Sequence, residues 1–158
     1  MALPIKIEHR IGIQTPAAPV WELISDINRW SAWNPLYPKA SGVIQFGERL
    51  DLEVALPGQK PRAIRPVIQD WTPGDQIIWS LSLLGGLLRS TRYLEIETLD
   101  NGNCIFSNGE IFEGPLLGLI GRKQRRAIKA GFTALGETVR DRVEAAWKAE
   151  HPDATSAA

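Results

Sequence analysis

From Gly114 to Trp147 the sequence carries one apolar stripe at helical spacing, and this stretch constrains the fold more than any other. Set at 100° per residue, Leu117, Ile128, Leu135, Val139, Val143 and Ala146 share a face, with Arg126, Glu137, Arg140, Glu144 and Lys148 opposite. Gly114-Pro115 opens it, since a proline costs nothing at the first helical position, and His151-Pro152 closes it. The spacing predicts a single long helix. At 1.5 Å per residue it would run roughly 50 Å, so its apolar stripe needs a large curved partner. Gln124 falls within the stripe, and Gly118, Gly121, Gly131 and Gly136 interrupt it at roughly 1 kcal/mol each relative to alanine. Such gaps serve either tight packing against aromatic strands or room for a ligand.

The rest of the chain supplies strands. Ile5, Ile7, His9, Ile11 and Ile13 alternate with polar residues in a half-buried strand. Thr15-Pro16 starts a short helix, and Asn28–Trp33 forms a second, stopped by Asn34-Pro35 because the residue before a proline avoids helical geometry. Strands follow over Lys39–Gln45, Arg49–Leu56, Arg62–Trp71, Gln76–Leu83, Arg89–Thr98 and Cys104–Phe112. Their connections are too short for parallel crossovers, so the pairing is antiparallel. Pro66 cannot sit centrally in a ladder and marks a bulge or an edge. The expectation is an α+β domain: a curved antiparallel sheet of seven strands wrapped around the C-terminal helix, with two short helices between the first two strands.

The 158 residues suit one domain, expected over 1–150, with 151–158 as a disordered tail. Eighteen basic residues balance eighteen acidic ones, so nucleic acid is not an expected partner. The single cysteine, Cys104, excludes an internal disulfide framework, and no metal-ligand spacing or phosphate loop occurs. No cofactor or metal is expected. Neither a leader segment nor a long uncharged apolar run is visible, and the expected location is the cytoplasm.

Two local motifs carry a resemblance. One is Pro19-Val20-Trp21-Glu22-Leu23-Ile24-Ser25-Asp26 running into Trp30-Ser31-Ala32-Trp33-Asn34-Pro35. The other is Asn108-Gly109-Glu110-Ile111-Phe112-Glu113-Gly114 followed by Leu116-Leu117, then Gly131-Phe132. With the element order, they make nearly the whole chain resemble the START-like, or Bet v 1-like, superfamily (SRPBCC), and its bacterial polyketide cyclase/dehydrase-type members in particular. The resemblance implies a helix-grip fold with a cavity between sheet and long helix, used in the family for lipid and hormone binding, polyketide cyclisation or partner recognition. Many relatives carry a histidine where this chain has Asn108. An amide hydrogen-bonds but does not shuttle protons near neutral pH.

Arg92 shares a strand face with Leu94 and Ile96, and Asn108 shares one with Glu110 and Phe112. If these faces point inward, Arg92 and Glu110 meet across a hairpin, as a satisfied pair or as groups that orient a ligand. One end of the sheet gathers a different set. Alternate loops of a meander lie together, so Pro57–Lys60, the apolar run Leu83–Leu88 and the start of the long helix should cluster. Leu84, Leu87 and Leu88 would then sit beside Arg122, Lys123, Arg125 and Arg126. These leucines close the cavity, form a dimer contact, or dock on an anionic membrane.

Three functions follow. The first is binding of a small hydrophobic or amphipathic, lipid- or polyketide-like ligand, with Trp33, Trp79, Phe112 and Phe132 as walls and Arg92, Asn108, Glu110 and Gln124 at the polar end. The second is a cyclase- or dehydrase-type enzyme with Glu110 as general base. The third is a membrane or protein adaptor. Monomer and homodimer are both compatible with the sequence.

Overall fold

The computed structural model describes residues 3–152. The first strand, β1 (Ile5–Ile13), leads to α1 (Ala17–Ser25) and a 3-10 segment, Ile27–Ala32. Then come β2 (Lys39–Ser41), β3 (Asp51–Val54), β4 (Arg62–Ile64), β5 (Val67–Thr72), β6 (Gln76–Leu83), β7 (Leu88–Thr98), β8 (Cys104–Glu113) and the long helix α2 (Arg122–Glu150). All pairing is antiparallel, in a five-stranded sheet of order β1-β8-β7-β6-β5 and a three-stranded sheet of order β2-β3-β4. The expected α+β helix-grip fold is present.

The strands read over Lys39–Gln45 and Arg49–Leu56 are shorter, Lys39–Ser41 and Asp51–Val54, and two other segments differ more. The segment expected as one strand from Arg62 to Trp71 is two, giving eight strands among the described residues instead of seven. Pro66 has no N–H to donate, and its carbonyl instead accepts from Leu50 N at 2.9 Å. A bulge between Ile68 and Asp70 then shifts the register of β5 on β6. The helix begins at Arg122, seven residues after Pro115, because Leu117–Leu119 forms a separate 3-10 turn.

The core lies between the five-stranded sheet and α2. Ile128, Phe132, Leu135, Val139 and Val143 of α2 are buried against Ile7 and Ile13 of β1, Leu94 and Ile96 of β7 and Phe106 of β8. Two of the glycines in the helical stripe serve close packing. A β-carbon at Gly136 would lie 2.5 Å from His9 Nδ1, and one at Gly131 3.0 Å from Leu36 Cδ1. Gly118 and Gly121 precede the helix and meet nothing within 4 Å.

On the outer face a strut crosses three strands. Tyr93 of β7 and Glu8 of β1 both stand in register with Gly109 of β8, and the phenol passes over Gly109 to donate a hydrogen bond to the Glu8 carboxylate. Burial and the Glu8 carboxylate push the Tyr93 hydroxyl pKa up. The missing side chain at Gly109 makes the crossing possible: a β-carbon there would stand 2.8 Å from the Ile7 carbonyl oxygen and closer still to the phenol ring. The expected tail over 151–158 falls mostly outside the described residues; His151 itself stacks on Trp147 with ring centroids 3.8 Å apart.

Candidate functional site

Because side chains alternate along a strand, one parity choice on each of β6, β7 and β8 decides what faces the helix. The inward set holds Trp79 and Leu81 on β6, Leu88, Ser90 and Arg92 on β7, and Asn108, Glu110 and Phe112 on β8. Between them and α2 lies a cavity of about 140 Å³. Leu36, Tyr37, Ile120, Ile128 and Phe132 complete its buried wall. Its half-buried or exposed lining residues, Val54, Leu56, Arg62, Ile64, Leu83 and Gln124, mark the mouth. There Gln59 Nε2 donates to Gln124 Oε1 at 2.7 Å, which fastens the β3–β4 loop to the first turn of α2.

Arg92 is 2 % exposed. Its Nε donates to Tyr37 Oη (2.9 Å), Nη1 to the carbonyls of Tyr93 and Gly109 (both 3.0 Å), and Nη2 to Asn108 Oδ1 (2.9 Å). The guanidinium carbon lies 4.0 Å from the Phe132 ring centroid, with Tyr37 and Trp79 rings at 5.9 and 6.0 Å. Every named hydrogen-bond partner is neutral, and among the described residues no carboxylate forms an ion pair with Arg92. The expected Arg92–Glu110 pair is thus aligned in register but not joined. Glu110 instead accepts a short hydrogen bond from the Ser90 hydroxyl.

Protein encloses Glu110 on most sides, and it keeps some accessible surface. That burial pushes its carboxyl pKa above the ordinary value, against the opposing pull of the Ser90 hydrogen bond and the positive charges of Arg92 and Arg62. Tyr37 also moves upward, chiefly through burial, and stays a neutral phenol. The site therefore combines a buried cation, a carboxyl that holds its proton more tightly than usual, two hydroxyls and an aromatic wall. Such a set can fix an oxygen-bearing group of a ligand by hydrogen bonds while the rings pack on its apolar part.

The sequence-predicted residues separate into groups. Trp79, Arg92, Glu110, Phe112, Gln124 and Phe132 all line the cavity. Asn108 does not: it is fully buried behind Arg92, and its amide spans from the guanidinium to the Phe132 carbonyl, 3.2 Å from Nδ2. Trp33 is also a correction. It follows the 3-10 segment and lines an open groove of about 520 Å³ between α1 and the end of α2, with Leu23, Val143 and Trp147. Leu88, expected on the docking surface, is 5 % exposed and forms cavity wall, because it begins a strand whose inward parity it shares with Ser90 and Arg92. Leu84 and Leu87 are exposed in the β6–β7 turn, and Arg122, Lys123, Arg125 and Arg126 are exposed in the first turns of α2. Sequence reasoning missed Tyr37, Ser90 and Arg62. Ser90 had a signal, as the other polar residue on the inward parity of β7; Tyr37 precedes a proline in a loop and had none.

His9 lies outside the cavity, paired in register with Asn108 and packed on Gly136, with no hydrogen-bond partner for Nδ1. Burial, and then the nearby charge of Lys129, push its pKa down. Among the described residues no cluster of three or more His, Cys, Asp or Glu side chains is placed to hold a metal, and no helix is long and apolar enough to cross a membrane.

A sheet curled around one long helix, with a cavity between them, is the helix-grip arrangement. The model of the family described as polyketide cyclase/dehydrase and lipid transport matches residues 4–144, and the chain belongs to that family. No curated protein matches it. Similar solved structures include a START superfamily protein from Mycobacterium smegmatis, with TM-score 0.66, 15 % identity, and coverage of 88 % of this chain and 97 % of that one. The Zhui aromatase/cyclase from Streptomyces sp. R1128 has TM-score 0.66 and 15 % identity over 90 % of this chain and 94 % of that one. One half of the di-domain aromatase/cyclase StfQ from the steffimycin biosynthetic pathway is similar too, with TM-score 0.68 and 15 % identity over 88 % of this chain and 50 % of that one. At these identities the likeness is one of fold.

Proposed function

We propose that this protein binds a small amphipathic molecule between sheet and helix, with its apolar part against Trp79, Phe112 and Phe132 and its polar end at Arg92, Ser90 and Glu110. One observation carries the reading: a guanidinium buried beside a cavity without a carboxylate paired to it. A buried charge is costly unless neutralised, so an acidic or strongly electron-rich ligand oxygen would complete the set. The enclosed volume, about 140 Å³, is close to the roughly 150 Å³ that accommodates a single benzene ring. A larger ligand would therefore project through the mouth past Gln124 and Arg62. The family's description and its aromatase/cyclase relatives support a hydrophobic, ring-bearing ligand.

Titration with the aromatic sulfonate probe anilinonaphthalene sulfonate tests this reading. Saturable binding at one site, lost in Leu81→Trp, which places an indole in the cavity, is the expected result. Binding that Leu81→Trp leaves intact would refute it. Native mass spectrometry of protein purified from its own host would then give the mass of any retained ligand.

A second reading, a cyclase- or dehydrase-type enzyme, draws on the upward shift of the Glu110 carboxyl, since acid–base residues are often tuned by burial in this way. A carboxyl that keeps its proton suits donation to a ligand oxygen better than abstraction from carbon. Asn108 gives it no proton relay. Once a substrate is known, unchanged turnover in Glu110→Gln would exclude this role.

A further inference from the structure

The cavity mouth has an outer surface of unusual composition. Seven large apolar side chains are strongly exposed among the described residues, and three of them, Leu84, Leu87 and Leu119, belong to adjoining turns at this end. Their neighbourhood is fixed by backbone bonds: Leu116 N donates to the Leu87 carbonyl, and Leu119 N to the Leu116 carbonyl, both at 3.1 Å. Leu84 is held at φ 52°, a left-handed conformation that a β-carbon disfavours, and is followed by Gly85 and Gly86 at positive φ. The turn thus displays a leucine to solvent in a conformation that local preferences oppose. Immediately inside it, Leu83 and Leu88 line the cavity.

The rim is cationic. Arg122, Lys123, Arg125 and Arg126 are exposed in the first turns of α2, and among the described residues none of the four forms an ion pair. Arg89 adds a fifth charge, and the acid facing it in register is Glu113. No acidic residue occupies the first turn of the helix, and no side chain caps it. These cations crowd the positive end of the helix dipole, where they repel one another and the unsatisfied N–H groups. A surface that pairs exposed leucines with uncompensated cations matches a layer of anionic headgroups over hydrocarbon, since the leucines can enter the acyl boundary while the cations remain at the headgroups.

We propose that the β6–β7 turn, Leu119 and the first turns of α2 form a docking surface for an anionic phospholipid bilayer, which sets the cavity mouth against the membrane. The surface does not depend on which ligand the cavity takes, so it can fail while the binding reading stands, and the reverse.

The test is co-sedimentation of the full chain with phosphatidylcholine vesicles with and without phosphatidylserine. Binding only to the vesicles containing phosphatidylserine, weakened at least tenfold in the triple variant Arg122→Gln/Lys123→Gln/Arg126→Gln and in Leu84→Ser/Leu87→Ser/Leu119→Ser, is expected. Circular dichroism of each variant verifies that it is folded. A readout free of that concern uses Leu87→Cys carrying an environment-sensitive dye, because the native Cys104 is buried and does not label. Its emission should shift blue on anionic vesicles alone. An unshifted spectrum with no co-sedimentation overturns the proposal, as does vesicle binding that both triple variants retain. A dimer in solution that only the leucine variant dissociates would assign the patch to a second copy of the chain and overturn it too.

Discussion

Replacing Gly109 with alanine should break the strut that ties β1, β8 and β7 together. The new β-carbon would lie 2.8 Å from the Ile7 carbonyl oxygen, a main-chain atom fixed by strand pairing, so the phenol of Tyr93 must leave. Its departure forfeits a hydrogen bond to a carboxylate, about 1.5–3 kcal/mol. The ring is 6 % exposed where it lies, and losing that burial costs about as much again for a large side chain. Alanine recovers roughly 0.5–1 kcal/mol through its lower backbone entropy in a strand. The balance is a loss of roughly 3 kcal/mol, measurable as a shift in the urea unfolding midpoint at unchanged slope. The double-mutant cycle with Tyr93→Leu makes the prediction specific. In that background the ring no longer opposes the β-carbon, and the coupling should be at least about 1.5 kcal/mol. A Gly109→Ala loss below about 1 kcal/mol, or a strictly additive pair, would refute the account of Gly109 as the space that the phenol needs.

Three further outcomes follow from the structure. Burial raises the Glu110 pKa, so this group favours the folded state fully below its ordinary value and loses that contribution as pH rises through the raised one; Glu110→Gln should therefore gain in thermal midpoint relative to the native protein as pH rises above the ordinary carboxylate range. His9 behaves oppositely: its lowered pKa means stability present above the ordinary histidine value and lost as pH falls through the folded one, so His9→Gln should flatten the acid side of the urea-midpoint profile. Gln124→Ala removes the clasp to Gln59 at the mouth; stopped-flow association of the anilinonaphthalene probe should quicken, with stability changed by only about 0.5–1 kcal/mol because the bond is exposed.

The inward parity of β6, β7 and β8 was legible in the sequence because period-two alternation of Ile77, Trp79 and Leu81, or of Phe106 and Phe112, leaves one face that can be buried. That parity placed Arg92, Asn108 and Glu110 together. It did not reveal their bonding. Arg92 sits opposite Glu110, yet its donors turn to Tyr37, Asn108 and two carbonyls, and Tyr37 comes from a loop whose approach no periodicity describes. Trp33 misled for a related reason: an aromatic after a short helix has no parity to read, and the chain turns it toward the end of α2. The helix start was misplaced because Pro115 is equally at home in the loop that precedes a 3-10 turn. Legibility thus tracked regular backbone and failed where a side chain depends on how loops fold over the sheet.

The first turn of α2 also has a kinetic meaning. Its amide donors have no capping side chain, four cations stand at the positive end of the dipole, and its Gln124 is part of the cavity mouth. Fraying at this point costs less than parting the buried Val139 and Val143 from the core. The same fluctuation that unwinds a turn of helix widens the mouth. Protection of the Arg125 amide, which donates to the Gly121 carbonyl at 3.0 Å and closes this turn, would report such an opening.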